Sequence, residues 1–116
     1  MEFIALLSND KESWGQISGL MKHGGWENII LVGGESSRNF ASEKKFELIK
    51  VDLGKKIRDL TDEISRKLKG KIKNMEVALS IASGDGKEHM ALISALINLP
   101  VGIRFVALTK EGIINL

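Results

Sequence analysis

One stretch narrows the choice of fold for this 116-residue chain more than any other: Ala78-Leu-Ser-Ile-Ala-Ser-Gly-Asp-Gly-Lys-Glu-His-Met-Ala91. It reads as a buried strand, a tight Gly-x-Gly turn and a lysine at the mouth of an apolar helix, which is one unit of an α/β sandwich. The order also suits a bound phosphate. Gly84 and Gly86 let the backbone turn sharply and approach a ligand closely. The unpaired N–H groups and the positive dipole end of the following helix would face that ligand, with Lys87 adding a full charge. Two known phosphate motifs are excluded. A P-loop would need a glycine at Ile81 and a hydroxyl at Glu88. A dinucleotide fingerprint would need a third glycine at His89.

The rest of the chain repeats the alternation. Phe3–Leu7 is a continuous apolar run that suits a strand covered on both faces. Ser8–Glu12 is a loop in which Asn9 and Glu12 form a capping-box pattern. It opens a helix with the apolar stripe Trp14, Ile17, Leu20 and Met21, ended by Gly24-Gly25. Asn28–Val32 is a second strand closed by Gly33-Gly34, and Glu35–Lys45 is polar and irregular. Phe46–Val51 is a third strand, with an edge-like pattern. A second helix spans about Lys55–Lys69, burying Ile57, Leu60, Ile64 and Leu68, with Lys56, Arg58, Asp59, Asp62, Glu63, Arg66 and Lys67 outside. Met75–Ala82 is a fourth strand, and Lys87–Asn98 a third helix, apolar almost all round and so expected to pack deeply. Ile103–Leu108, a turn at Thr109–Gly112, and Ile113–Leu116 complete a terminal hairpin.

The expectation is a single domain over residues 1–116: an α/β, Rossmann-like three-layer sandwich around a mainly parallel sheet of about six strands, with a C-terminal β-hairpin. A chain this long buries roughly 65% of its unfolded surface, enough for a core without staples. There is no cysteine, hence no disulfide framework or thiolate metal site. A net charge of +2 does not announce a nucleic-acid binder. No apolar run approaches the ~20 residues needed to span a bilayer, so the cytoplasm is the expected location. If strands one to three wind one way and strand four returns beside strand one, the switch point lies between strands one and four. Ligands of open α/β sheets bind there, at the carboxyl ends. Those ends carry Ser8, Asn9 and Asp10, and Ser83, Gly84, Asp85, Gly86, Lys87 and Glu88.

At these residues the chain resembles the CRISPR-associated Rossmann-fold (CARF) domain family. The likeness covers nearly all of the chain in element order. It is concentrated in Leu6-Leu-Ser-Asn-Asp10 after the first strand and in Ile81–Met90 after the fourth. The resemblance implies a homodimer that binds a cyclic oligoadenylate across its two-fold axis, with Ser8 near a ribose or phosphate and Lys87 on a phosphate. Some family members, the ring nucleases, also cleave the ligand without metal, which would make Ser8 and Lys87 catalytic. No cofactor or metal is expected. Asp85 departs from the family by placing a negative charge inside the turn, and the segment between strands two and three is short for a helix.

Other readings stay open beside this one: a non-catalytic nucleotide-binding module outside CRISPR defence, or a protein-interaction domain. Ser83 equally suits a plain turn, and Glu88 suits the helix N-terminus through the dipole. His89 has the chemistry for acid–base work near neutral pH. With Asp85 it supplies two ligands, too few for a metal site. His23 reads as a dipole partner at a helix C-terminus. Arg38, after the second strand, either reaches the ligand or is a solvated loop arginine. Lys67, Lys69, Lys71 and Lys73, with Lys55 and Lys56, suit a nucleic-acid backbone. They have no interleaved aromatics to stack bases, so duplex nucleic acid is not an expected partner.

Overall fold

The computed structural model describes residues 1–116. Its strands are β1 (Glu2–Leu7), β2 (Asn28–Gly33), β3 (Glu47–Lys50), β4 (Glu76–Ser80), β5 (Gly102–Thr109) and β6 (Gly112–Asn115). They form one sheet in the order β3-β2-β1-β4-β5-β6. The first five run parallel and β6 turns back antiparallel on β5. Helix α1 (Trp14–His23) covers one face; α2 (Ile57–Leu68) and α3 (Gly86–Asn98) cover the other. The fold is the expected Rossmann-like sandwich with a terminal hairpin.

The central strand shows why the chain must fold in three layers. Every residue from Phe3 to Leu7 is fully buried, and successive side chains of a strand point to opposite faces. Phe3, Ala5 and Leu7 pack in the α1 layer with Trp14, Ile17, Leu20 and Met21. Ile4 and Leu6 pack with Leu60, Ile64 and Leu68 of α2 and Ala91, Leu92, Ala95 and Leu96 of α3. Each large apolar side chain so removed from water stabilises the fold by about 1.5–3 kcal/mol. The chain reverses its winding between β1 and β4, so their carboxyl ends flank the switch point. No helix is long and apolar enough to cross a membrane.

Three expectations need correction. The capping side chain ahead of α1 is Asp10, not Asn9, and it caps the 3-10 turn before the helix, whose own N-cap is Ser13. The Ser8 hydroxyl accepts the Asp10 N–H at 3.1 Å. The chain therefore turns one residue later, and the Asp10 carboxylate accepts from the Glu12 N–H at 3.1 Å, opening a 3-10 turn over Lys11–Ser13. Helix α3 is not buried all round: Met90 and Ile97 are 60% and 58% exposed. It covers the sheet as far as Ile103 and Phe105 of β5, and the paired end of the β5–β6 hairpin beyond them is packed from the α1 side, through Val106, Leu108 and Ile113. The register pairs Ala107 with Ile114 on the opposite face, which is left to solvent with Leu116. Third, Glu63 is not on the outside of α2 but buried, while Ile57, expected inside, is 40% exposed in the first turn of the helix.

Candidate functional site

Three hydroxyls meet where β1 and β4 end. The Ser83 hydroxyl donates to Ser8 Oγ at 3.1 Å and lies 2.6 Å from Ser13 Oγ, which in turn lies 3.3 Å from Ser8 Oγ. The Ser13 hydroxyl donates to the Asp10 carbonyl at 2.6 Å. The Ser8 N–H donates to Ser83 Oγ at 2.9 Å, and the Trp14 indole donates to the Ser8 carbonyl at 2.9 Å. Ser8 and Ser83 are both buried. The structure thus joins Ser8 and Ser83, as the topology implies, and adds Ser13. The hydroxyls are spent on one another and on the backbone, stitching the two loops together.

The glycine turn is closed as tightly. Gly84 has φ +115°, and a Cβ there would stand 2.3 Å from Leu6 Cδ2, so only glycine fits. Asp85 caps α3: its carboxylate accepts from the Glu88 N–H at 2.8 Å, while Glu88 Oε1 accepts from the Asp85 N–H at 3.1 Å. This reciprocal capping box places two carboxylates at the positive end of the helix dipole. A ligand anion at that end would meet them. His89 Nε2 sits 2.8 Å from the Ser83 carbonyl and holds the turn from behind. Lys87 reaches sideways: its ammonium donates to the carbonyls of Leu53 and Lys55 at 2.9 and 2.8 Å. Two of its three donors are therefore engaged by the loop before α2, and the ammonium is held in place rather than swinging in solvent.

On the other side of β1 the carboxyl ends of β1, β2 and β3 border an open cleft of about 470 Å³. Asn9, Glu35, Lys50, Asp52, Glu63 and Lys67 supply its polar lining. Asn9 is fixed there by the Ser36 hydroxyl, which donates to its side-chain oxygen at 2.6 Å. Glu63 anchors the floor. Its carboxylate lies 3.2 Å from the Lys55 ammonium and 3.0 Å from that of Lys67, and accepts from the Asp52 N–H at 3.2 Å. Burial pushes the Glu63 carboxyl up, but Lys67, the Asp52 N–H and Lys55 outweigh it and bring it down to about 2. The Lys67 ammonium also donates to the Lys50 carbonyl at 2.6 Å. Glu35 contacts Lys50 and pairs with Arg38 at 3.1 Å. The hydrogen bond from Lys50 above all, with Arg38 adding, holds its carboxyl below the usual range. Arg38 itself is 65% exposed and makes its ion pair with Glu35, away from the glycine turn.

Sequence reasoning missed Ser13, Glu35, Lys50, Asp52 and Glu63 as site residues, and read Lys67 only as part of a basic stretch suited to a nucleic-acid backbone. Glu63 and Lys67 stand at i and i+4 on an amphipathic helix, a spacing that signals the pair but not its burial. Nothing in the local sequence marks the others, because the sheet order brings them together.

No family model and no curated protein sequence matches the chain. Among solved structures, it is similar to Csm6 of Enterococcus italicus bound to cyclic hexa-2'-fluoro-hexa-dAMP, with a TM-score of 0.63 and 14% sequence identity over 94% of this chain. The match takes in 33% of the Csm6 chain, so this chain spans about a third of that protein's length. The likeness establishes a shared fold over nearly the whole chain.

Proposed function

We propose that this chain is a CARF-like domain that binds a cyclic oligoadenylate, with a second copy of the chain completing the site. The observation that carries the reading is the fold shared over 94% of the chain with Csm6 bound to a cyclic hexanucleotide. The local resemblance of the Ser8 loop and the glycine turn to the CARF pattern supports it. These two loops flank the switch point, where ligands of open α/β sheets bind. A partner copy is supported by the uncovered apolar groove beside the turn, of about 400 Å³ and lined by Ile81, Ala82, Phe105, Ala107 and Leu116 among others. Exposed apolar patches of this kind mark interaction surfaces. Lys87 would offer its remaining N–H to a phosphate.

A second reading, binding without cleavage, is favoured by a specific observation. Ser8 Oγ is buried within the serine cluster, and two donors of the Lys87 ammonium are held by carbonyls. Ser8 Oγ is then held back from phosphoryl transfer, and Lys87 keeps one N–H, enough to hold a phosphate from a fixed position. Isothermal titration with cyclic tetra-adenylate, sedimentation of free and loaded protein, and chromatography of the ligand afterwards test both readings. The expected result is one ring bound per two chains and recovered intact. No binding overturns the proposal; recovery of linear adenylates overturns the non-catalytic form of it.

A further inference from the structure

Another cavity lies at the opposite end of the sheet, where β2 and β3 begin, and neither reading uses it. Its volume of about 450 Å³ falls in the ordinary range for small-molecule sites, roughly 300–1,000 Å³. Two of its walls are aromatic and held in place. Trp26 stacks on Phe3, with ring centroids 5.0 Å apart and planes 23° apart. Its indole N–H donates to the Leu20 carbonyl at 2.8 Å, so the ring has only apolar surface left to offer. Gly24 makes this pose possible: a Cβ there would stand 2.1 Å from Trp26 Cε2. Phe46 meets Phe40 edge-on, with centroids 5.5 Å apart. Both Trp26 and Phe46 remain only half-buried. The charges at the cavity are of two kinds. Its carboxylates are already engaged, Glu27 by the Met1 amino group at 2.5 Å and Glu47 by Lys71 at 2.5 Å. Its ammonium groups, from Lys44 and Lys45, have no carboxylate within 4.0 Å, the neighbouring Glu43 included. The Lys44 N–H donates to the Ser42 hydroxyl at 3.1 Å, which shapes the loop that presents them. Fixed rings favour a flat apolar body at little entropic cost, and two unpaired ammonium groups favour a negative charge at its edge.

We infer that this cavity binds a small planar aromatic anion, a ring system bearing a carboxylate or a phosphate, which lies against Trp26 and Phe46 while Lys44 and Lys45 take its charge. The site stands at the amino ends of the strands, a strand's length from the glycine turn. It therefore does not depend on the cyclic-ligand reading, and both ligands can be held at once.

The two tryptophans make the test specific to each site. Trp26 walls this cavity, whereas the Trp14 indole is bonded to Ser8 beside the serine cluster. The indole N–H signals of the whole, isotope-labelled chain are followed by NMR in separate titrations. The carboxylate arm uses indole-3-acetate, its neutral amide, and acetate alone. The phosphate arm uses adenosine 5′-monophosphate, adenosine, and inorganic phosphate alone. At least one aromatic anion is expected to shift Trp26 with the amides of Lys44, Lys45 and Phe46, and to bind roughly tenfold or more tightly than its neutral analogue. Which arm responds names the charged group. No shift of Trp26 by either anion overturns the inference. Equal binding of the neutral analogue overturns it too, because the lysines are then not used. Equal binding of acetate or phosphate alone does the same, because the rings are then not used. Lys44→Gln with Lys45→Gln changes two exposed side chains and should weaken the aromatic anion roughly tenfold with no change in melting temperature; unchanged affinity overturns the inference. Cyclic tetra-adenylate is titrated last. If it shifts Trp14 while no aromatic anion shifts Trp26, the inference falls and the cyclic-ligand reading stands. If an aromatic anion shifts Trp26 while the cyclic ligand leaves Trp14 unmoved, the reading falls and the inference stands.

Discussion

Where β1 meets β4, the polar side chains face one another; along the ends of β1, β2 and β3, they face an open cleft. The first region joins Ser8, Ser13 and Ser83 into one hydroxyl cluster and seals the end of α3 with its own carboxylates. No buried side-chain polar atom in the molecule lacks a hydrogen-bond partner. The second region has its anchored charges below, at Glu63, and accessible ones above, at Glu35 and Lys50. The lesson is that a glycine turn with a lysine is a backbone solution before it is a binding site. Its glycines allow the turn to close, and closure engages most of its polar groups, leaving one N–H of Lys87. The charged groups that stay accessible stand at the ends of the neighbouring strands.

The sharpest way to break this contrast is Gly84→Ala. The new Cβ would meet Leu6 in the fully buried core and require a positive φ of an L side chain. Overpacking and backbone strain together predict a loss of about 2–4 kcal/mol, read by urea denaturation. A variant as stable as the parent would show that the turn is slack, and that its closure does not decide what is free to bind.

Glu63 comes next. Its carboxyl titrates at about 2 in the folded chain against 4.5 without the fold. The folded value is the lower one, so the stabilisation is fully present above about pH 4.5 and disappears as pH falls toward 2. The ammonium partners Lys55 and Lys67 are 40% and 39% exposed, and solvent screening discounts the effect to about 2 kcal/mol. Glu63→Gln should remove that amount at pH 7 and flatten the stability profile between pH 4.5 and 2. An unchanged acid limb would mean the cleft floor is not held by this charge.

The two regions also differ in how far they were legible. The apolar runs and the stripes of α1 and α2 are local patterns. They sufficed for the sandwich; the switch point, and with it the meeting of Ser8 with Ser83, followed only on the condition of a doubly wound strand order, which the structure supplies. The burial of Glu63 was not legible, because a Glu–Lys pair at i and i+4 looks the same on a solvated face as beneath a loop. The exposure of Met90 and Ile97 was hidden for the converse reason: an apolar helix reads as buried unless the next element is known to leave it uncovered. The engagement of Lys87 by Leu53 and Lys55 depends on backbone carbonyls more than thirty residues away, about which side-chain identity says nothing.

Lys87 links the two regions, since it springs from the turn and grips the loop that borders the cleft. Lys87→Met keeps most of the stem packed and removes both charge-assisted hydrogen bonds. It should cost about 1–2 kcal/mol, less than their gross worth because water replaces part of it. Faster hydrogen exchange at the amides of Gly54 and Lys55 should accompany the loss. Affinity for cyclic tetra-adenylate should fall roughly ten- to a hundredfold if the remaining N–H meets a phosphate. Exchange rates unchanged in the variant would mean that the loop is held by Glu63 alone and that the two regions are independent.

The smallest effect separates stitching from binding within the serine cluster. Ser13→Ala deletes the hydroxyl that donates to the Asp10 carbonyl and touches Ser83. A neutral hydrogen bond of this kind contributes about 1 kcal/mol. The Ser13 and Ser83 oxygens are only 2.6 Å apart, so their effects should not add. The double variant with Ser83→Ala should be less destabilised than the sum of the singles, by a coupling on the order of 0.5–1 kcal/mol. Calorimetric titration of the same variants then assigns the role. If the hydroxyls only join the loops, Ser13→Ala lowers the melting temperature and leaves ligand affinity within twofold. If affinity falls more than fivefold while stability is unchanged, the cluster is read by the ligand, and the closed region is a binding surface after all.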